Sequence, residues 1–254
     1  MFKKIFLMAC VVSFMVIGLC FAQEQRIEVQ GRYWISDLEA EAKVIESGIG
    51  DKFDFKDDLG IDDENLPEAR IIFHTGPNSL LRLGYTQVNY SGDETVSRTV
   101  EFKGQSYTAG ARVESELDIK YARFGWLWYF LSLADDKVKL GSIVEAKAVM
   151  ADISLKAPTL SLSDSEHFIG GLPTAGLACQ VKPIEKVKFF GEISGIGAGE
   201  FGYFFDAEAG IAFVPLEHLS IEAGYRMIDL KAEDDPDFAT VQMRGPFLSV
   251  TARF

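Results

Sequence analysis

The chain has 254 residues, and its 38 acidic side chains outnumber its 25 basic ones, which gives a formal net charge of -13 at pH 7. Nucleic acid is therefore an unsuitable partner, because its phosphates would be repelled rather than neutralised. Hydrophobic residues make up 48% of the sequence, yet beyond the N-terminal region no window of about 18 or more residues is uniformly apolar, which excludes further transmembrane helices.

The N-terminal residues are typical of a secretory signal peptide. Lys3 and Lys4 precede a continuous apolar run over residues 5–21, which ends in a short segment suited to signal peptidase. We therefore divide the chain into a signal peptide at 1–22 and one domain at 23–254, with a membrane anchor as the alternative for the first segment. Removal of the signal would leave a single cysteine, so we expect neither an intramolecular disulfide nor a cysteine-based metal site.

Apolar and polar residues alternate over most of the remaining chain. A period of two is that of a β-strand with a different environment on each face. The alternation predicts about ten strands, with eight as the alternative count. They are expected over 27–44, 68–74, 81–86, 112–130, 138–148, 172–182, 187–196, 203–214, 219–231 and 240–254, and the segments 95–102 and 106–113 are expected to flank a hairpin tip.

The connections are predicted to be short at one end of the strands and longer at the other. The alternation slips over 87–93, where we expect a bulge or a kink, and again at Gly245-Pro246, where we expect a bulge. The acidic segment 48–64 and the serine-rich segment 157–166 are expected to be exposed loops, and residues 103–105 form the tip of a hairpin. Short turns are expected at Gly76, Ala134, Pro183 and Pro215.

The last predicted strand separates its residues into two sets. Ser249, Thr251 and Arg253 lie on one face. The other face is apolar and ends on an aromatic residue, with Leu248, Val250, Ala252 and Phe254. This segment resembles the closing strand of bacterial outer-membrane β-barrels, although no particular family within that class is matched.

The resemblance implies an all-β protein that forms a transmembrane antiparallel up-and-down barrel in the bacterial outer membrane. It also implies that the terminal strand is the signal read by the barrel-assembly machinery, and that outer-membrane lipid and lipopolysaccharide are partners. We expect a monomer.

The alternation also assigns charged side chains to the inside of the barrel. This inward set includes Glu68, Lys139 and Lys188, and it also includes the charges of residues 112–120, namely Arg112, Glu114, Glu116, Asp118 and Lys120. The predicted lumen-lining charges are Glu28, Arg32, Arg70, Arg82, Glu145, Lys147, Glu192, Asp206, Glu208, Glu222, Arg226 and Arg253. The interior of a small barrel is just wide enough for side chains to fill. We therefore expect these charges to pair and close the lumen, which favours a structural or surface-interaction protein. A narrow channel for small polar solutes is the alternative.

Catalysis and cofactor binding have weaker support in the sequence. The acidic segment does not match the spacing of a calcium-binding loop, and we expect no cofactor. Some barrels of this class are enzymes, either proteases with Asp and His at the extracellular rim or lipid A modifiers. His167 would lie at the matching end, with Ser163, Asp164, Ser165 and Glu166 nearby. Neither local motif is present, so no catalytic residue is assigned.

Overall fold

The computed structural model describes residues 27–43, 52–102, 105–234 and 237–254, and the segment expected to be a signal peptide lies outside these ranges. Among the described ranges, no helix is long and apolar enough to cross a membrane. The strands are β1 (Ile27–Ile35), β2 (Asp37–Lys43), β3 (Phe53–Asp54), β4 (Asn65–Gly76), β5 (Ser79–Thr95), β6 (Val100–Phe102), β7 (Gln105–Tyr107), β8 (Arg112–Leu133), β9 (Val138–Ala157), β10 (Leu162–Ile184), β11 (Val187–Gly197), β12 (Gly202–Leu216), β13 (Leu219–Asp234) and β14 (Asp237–Arg253).

The strands form one closed barrel. β1 and β2 act as a single wall strand, because both pair with β14 in the same register. This strand is followed around the wall by β4, β5 and β8 to β14, and each is antiparallel to its neighbours. Pairing of β14 with β1 closes the sheet, so the predicted all-β barrel of ten strands is confirmed.

The two ends of the barrel differ in their connections. At the end that we call the turn end, β4, β9, β11 and β13 begin or finish at short turns over 77–78, 134–137, 185–186 and 217–218. Pro183 and Pro215 lie one position before the strand ends, where the register of the ladder shifts. A proline is tolerated there because it has no amide hydrogen to donate to the ladder. The opposite end, which we call the loop end, carries the longer connections.

The first wall strand shows how polarity changes along the barrel. At the turn-end half its outward residues are apolar, including Tyr33 and Ile35, while Arg32 is buried inside. Beyond Ser36 the outward residues are charged and the inward residues are apolar, as at Leu38. The same alternate residues point inward along the whole strand. Only their polarity changes, from polar in the turn-end half to apolar beyond Ser36.

The two predicted bulges are absent, and the expectation was wrong at both places. The ladder between β5 and β8 is continuous from Ser79 to Thr95, because the apparent slip over 87–93 marks the change of interior from polar to apolar. β13 and β14 also pair without a shift through Gly245-Pro246. There a Cβ at Gly245 would lie 1.9 Å from the carbonyl oxygen of Ile35, so glycine permits a close approach of β1.

The two segments expected to be exposed loops are also structured where they are described. Phe55, Leu59 and Ile61 are buried, and Ile61 forms a bridge to Gly92 of β5, so residues 52–64 fold back onto the barrel. The segment 157–166 contains a single 3-10 turn, after which β10 already pairs with β9. Apolar residues explain the difference for 52–64, because they gain burial there. In 157–166 Leu160 stays exposed, and the structure comes from pairing of β10 with β9.

The charges of residues 112–120 face outward, opposite to the prediction. Val113, Ser115 and Leu117 are buried inside the barrel, whereas Arg112 and Glu116 are exposed. The alternation itself was read correctly, but its two faces were exchanged. At the loop end the apolar face packs on an interior and the charged face meets the surroundings.

Candidate functional site

A network of charged side chains fills the middle of the barrel. Among the described residues it consists of six cationic and five anionic side chains: Arg32, Arg70, Arg82, Arg123, Lys147, Arg226, Glu68, Glu145, Glu192, Asp206 and Glu208. They come from wall strands on all sides, and most are buried. We call this set the charge network.

Glu68 and Glu208 organise one side of the charge network. Arg70 donates to both carboxylates, with Nε 2.6 Å from Glu68 Oε1 and Nη2 3.0 Å from Glu208 Oε2. Arg32 Nη1 lies 2.7 Å from Glu208 Oε2, and Arg226 Nη1 lies 3.2 Å from Glu68 Oε2. Each carboxylate is therefore shared by several guanidinium groups, which offsets the cost of burying so many charges.

Asp206 and Glu145 organise the other side. Arg226 Nη2 donates to Asp206 Oδ2 over 2.9 Å, and Lys147 Nζ donates to the same oxygen over 2.8 Å. Lys147 Nζ also lies 3.2 Å from Glu145 Oε2, and Arg82 Nη2 lies 3.3 Å from Glu145 Oε1. The charges thus form one connected set rather than isolated pairs, so the loss of one member would expose its neighbours' charges to a dry interior.

Aromatic rings cover the charge network on the side of the loop end. The Arg32 guanidinium lies 3.8 Å from the centroid of the Phe247 ring, and that of Arg226 lies 5.0 Å from the centroid of Trp34. Lys147 Nζ lies 4.7 Å from the centroid of Phe204. These cation–π contacts join the charged layer to the apolar residues above it.

Above the rings, the loop-end half of the barrel is filled by buried apolar side chains, which we call the apolar core. Two connections fold over it. Ser115 Oγ donates to the carbonyl of Leu59 over 2.9 Å, and the hydroxyl of Tyr107 lies 3.4 Å from the carbonyl of Leu155. Members of the apolar core include Trp34, Leu38, Phe55, Leu59, Ile61, Tyr90, Val96, Phe102, Tyr107, Val113, Leu117, Leu155, Phe204 and Phe247.

Ion pairs hold the connections in place at the loop end. Arg98 Nε donates to Asp58 Oδ1 over 2.8 Å, and Lys56 Nζ lies 2.7 Å from both Asp37 and Asp63. Burial alone would raise the pKa of the Asp58 carboxyl, but hydrogen bonds from Arg98 and from the Asp54 amide lower it below its usual range. The lowered pKa means that the ionised form stabilises this packing.

Below the charge network, the interior opens into a cavity of about 390 Å³, which we call the turn-end cavity. Arg32, Arg70 and Arg82 form its inner surface, and Asn78 and Glu185 lie at its mouth. This volume lies within the range of roughly 300–1,000 Å³ that is typical of small-molecule sites.

Every residue in the predicted lumen-lining set lies in the interior or at its turn-end mouth. Glu28, Glu192 and Arg253 are partly buried, and Glu28 Oε1 accepts from Arg253 Nε over 3.0 Å. Glu222 is buried and accepts from Gln30 over 2.9 Å. The remaining members are buried within the charge network: Arg32, Arg70, Arg82, Glu145, Lys147, Asp206, Glu208 and Arg226.

Sequence reasoning missed Arg123. Its Nη2 lies 3.2 Å from Glu68 Oε1 in the charge network. Arg123 has the same parity as Val113 and Leu117 of β8, the face that the prediction assigned opposite to the inward charges, and the predicted inward set therefore does not include it. The sequence does contain a signal for Arg123. On one face of β8 the apolar residues are followed by an arginine, and this change marks the height at which the interior becomes charged.

The predicted assembly segment faces outward. Leu248, Val250 and Phe254 are exposed on the outer wall, while Ser249 and Thr251 are buried inside. The chain end completes the barrel, because the Phe254 amide donates to the Ile27 carbonyl over 2.9 Å.

The histidines do not come together. His167 Nδ1 bonds to Asp152 on the exposed outer face of the loop end, rather than to the nearby Asp164. His74 Nε2 lies 3.0 Å from Glu28 Oε1 in the turn-end cavity, and His218 lies in a turn. Within the described ranges, no group of three or more His, Cys, Asp or Glu side chains has the geometry of a metal site.

Solved structures with the same arrangement of strands identify the fold. The outer-membrane protease OmpT from Escherichia coli superposes with a TM-score of 0.62 at 7% sequence identity, over 94% of this chain and 99% of that one. The fold is that of a bacterial outer-membrane β-barrel. At this identity the similarity extends to the fold alone.

Other outer-membrane barrels superpose less well. The translocator domain of the autotransporter NalP from Neisseria meningitidis has a TM-score of 0.44 at 11% identity, over 96% of this chain and 92% of that one. OprG from Pseudomonas aeruginosa has a TM-score of 0.43 at 9% identity, over 91% and 95%. No protein-family model matches the sequence, and no curated protein matches it either.

Proposed function

We propose that this chain is an integral outer-membrane protein with a closed lumen, and that it acts as a structural or surface-interaction protein. The observation that supports this proposal is the filled interior. The charge network occupies the middle of the barrel, and the apolar core occupies the loop-end half. A solute entering from the turn end would meet a layer of paired charges, and beyond it a packed hydrocarbon interior.

The outer surface supports the same proposal. Apolar side chains such as Tyr85, Trp126, Leu177 and Tyr225 are exposed on the turn-end half of the wall, as a lipid environment requires. Beyond them β8, β9 and β10 project with charged outer faces, including Glu116 and Asp152. We infer that the partners are membrane lipid and lipopolysaccharide, and that the loop end provides the surface for interaction.

Conductance in planar bilayers tests the closed lumen. We expect the purified protein to insert without stable current steps, in bilayers where a porin added afterwards gives them. Stable openings would contradict the proposal and favour the narrow channel for small polar solutes.

The terminal strand tests the proposed route of assembly. Deletion of Phe254 should reduce the heat-resistant, membrane-inserted fraction strongly, because this residue completes the outward apolar face that the assembly machinery is proposed to read. Glu114→Gln, which changes the exposed loop-end face, is the matched control and should insert normally. Normal insertion of the deletion variant would contradict the assignment.

We also propose that the barrel is not an enzyme. His167 and Asp152 form an exposed pair. We expect His167→Ala to leave lipid A and the cleavage of test peptides unchanged when the variant is produced in place of the unmodified protein. Loss of a lipid A modification or of peptide cleavage in the variant would contradict this proposal.

A further inference from the structure

The turn-end cavity carries cationic groups whose charges are incompletely neutralised. Lys139, Lys182, Lys188 and Arg253 all line it. Among the described residues, no carboxylate lies within ion-pair distance of Lys182 Nζ, and the charges that act on it most strongly are those of Lys188, Lys139 and Arg253. Lys188 Nζ has its nearest carboxylate, Glu222 Oε1, at 3.9 Å.

The carboxylates on the cavity wall are largely engaged by other donors. Glu28 Oε1 accepts from both Arg253 and His74 over 3.0 Å. Glu222 Oε2 accepts from Gln30 over 2.9 Å and from Ser249 over 3.2 Å. Glu185 and Glu217 also line the cavity but belong to the turns at its mouth, whereas Lys139 Nζ is already engaged by Asp136 at 3.4 Å and Asn78 at 3.1 Å. Lys182 and Lys188 are therefore the cations of this wall that remain available to a ligand.

The inner surface of the cavity adds unused hydrogen-bonding groups. The Nε atoms of Arg32 and Arg82 are buried, and neither has a hydrogen-bond partner among the described residues. Both side chains line the cavity and are at least nine-tenths buried. A buried donor without a partner costs free energy, so the inner surface of the cavity is electropositive and its donors are not all satisfied.

One side of the cavity is apolar. Leu80, Leu127 and Tyr129 belong to a small hydrophobic cluster and line the cavity together with Phe190. Lys139 Nζ lies 5.9 Å from the centroid of the Tyr129 ring, and Lys188 Nζ lies 5.8 Å from that of Phe190. Charge and apolar surface thus face the same space.

We propose that the turn-end cavity binds a small organic anion, a carboxylate that carries a compact apolar body. The carboxylate contacts Lys182 and Lys188, and the apolar body packs on Leu127 and Tyr129. The ligand enters through the mouth beside Asn78, from the side opposite to the surface loops. This site is independent of the closed lumen, because the charge network separates it from the loop end.

Fluorine NMR with 4-fluorobenzoate as the probe tests the site on the full folded barrel. We expect saturable binding, and we expect Lys182→Gln and Lys188→Gln each to weaken it about tenfold, because each removes one charge-assisted contact. The matched control is Lys137→Gln, an exposed lysine in the neighbouring turn that does not line the cavity. Its binding should equal that of the unmodified protein.

Neutral 4-fluorobenzyl alcohol and fluoroacetate separate the two parts of the proposal. The alcohol has the apolar body without the charge, and fluoroacetate has the charge without the body, so both should bind at least tenfold more weakly than 4-fluorobenzoate. Heat-modifiable migration verifies that each variant is folded, and Lys188→Gln serves alone if Lys182→Gln is not. Equal binding by all lysine variants, equal binding of the alcohol, or no saturable binding would overturn the proposal.

Discussion

The turn-end and loop-end halves of the barrel are built from the same strands but have opposite polarity. In the turn-end half, charged residues such as Arg226 face inward and apolar residues such as Tyr225 face outward. In the loop-end half, Leu155 and Val113 face inward while Lys156 and Glu114 face outward. Inward and outward residues alternate without interruption from one half to the other, as along β8. The backbone therefore determines which way a side chain points. Whether that side chain is polar or apolar follows from the surroundings at that height of the barrel.

The comparison shows that a single strand can pass from an apolar outer environment to a polar one along its length. In the turn-end half the outside requires apolar groups, and the interior accommodates charge only because it is paired. In the loop-end half the outside is polar and the interior is held together by hydrophobic burial, as in a water-soluble barrel. The two interiors should therefore respond differently to substitution.

The largest effect is expected from breaking the charge network. Arg226→Leu leaves Asp206 and Glu68 buried with one cation fewer, and we expect the free energy of unfolding to fall by roughly 3–5 kcal/mol. Urea titration of the reconstituted protein, followed by tryptophan fluorescence and heat-modifiable migration, measures the change. The matched control is Arg112→Leu, which removes the partner of Asp93 on the exposed outer face and should leave stability nearly unchanged. Similar losses in both variants would mean that the charge network is not a connected unit.

A slightly smaller loss is expected from the apolar core. Leu155→Ala removes a fully buried side chain and should lower the free energy of unfolding by about 2–5 kcal/mol, measured by the same titration. Leu177→Ala changes the same residue type on the outer wall, where the side chain is 59% exposed, and should cost much less. If both cost the same, the interior of the loop-end half is not packed as described.

The reactivity of introduced cysteines distinguishes the inward and outward faces of β8 in the loop-end half. These substitutions should change stability little. In a background that carries Cys179→Ser, Glu114→Cys should react rapidly with a membrane-impermeant maleimide, whereas the adjacent Val113→Cys should be protected because it faces the apolar core. Equal reaction rates would restore the original assignment of this strand.

The smallest effect is expected from acidification of the loop end. The pKa of Asp58 is lower in the folded protein than the ordinary value near 4. Its stabilisation is therefore fully present above the ordinary pKa and is lost as the pH falls through the folded pKa. After correction for the intrinsic pH dependence of amide exchange, the protection of residues 52–61 should fall below about pH 4, and Arg98→Gln should remove most of this dependence.

Much of the fold follows from the sequence, because strand alternation and proline positions are local. They predict the ten strands, the turn end and the outward face of β14. They do not predict which face of a strand is inside in the loop-end half, where both the interior and the outer surroundings differ from those of the turn-end half. Val113 and Arg123 of β8 are the examples. That choice depends on tertiary packing, namely on residues 52–64, 96–102 and 105–111 covering the loop end. The turn-end cavity likewise depends on lysines from separate strands, which no local pattern brings together.

Pro246 affects the pairing between the first and last strands, which closes the sheet into a barrel. Pro246 has no amide hydrogen, and opposite it the first wall strand is interrupted between Ile35 and Asp37. The seam between the first and last strands therefore consists of two ladders of seven residue pairs each in the described ranges, one on each side of this point. Thermal fraying that starts at one rim would stop at the interruption, so the seam is expected to open and close as two separate segments.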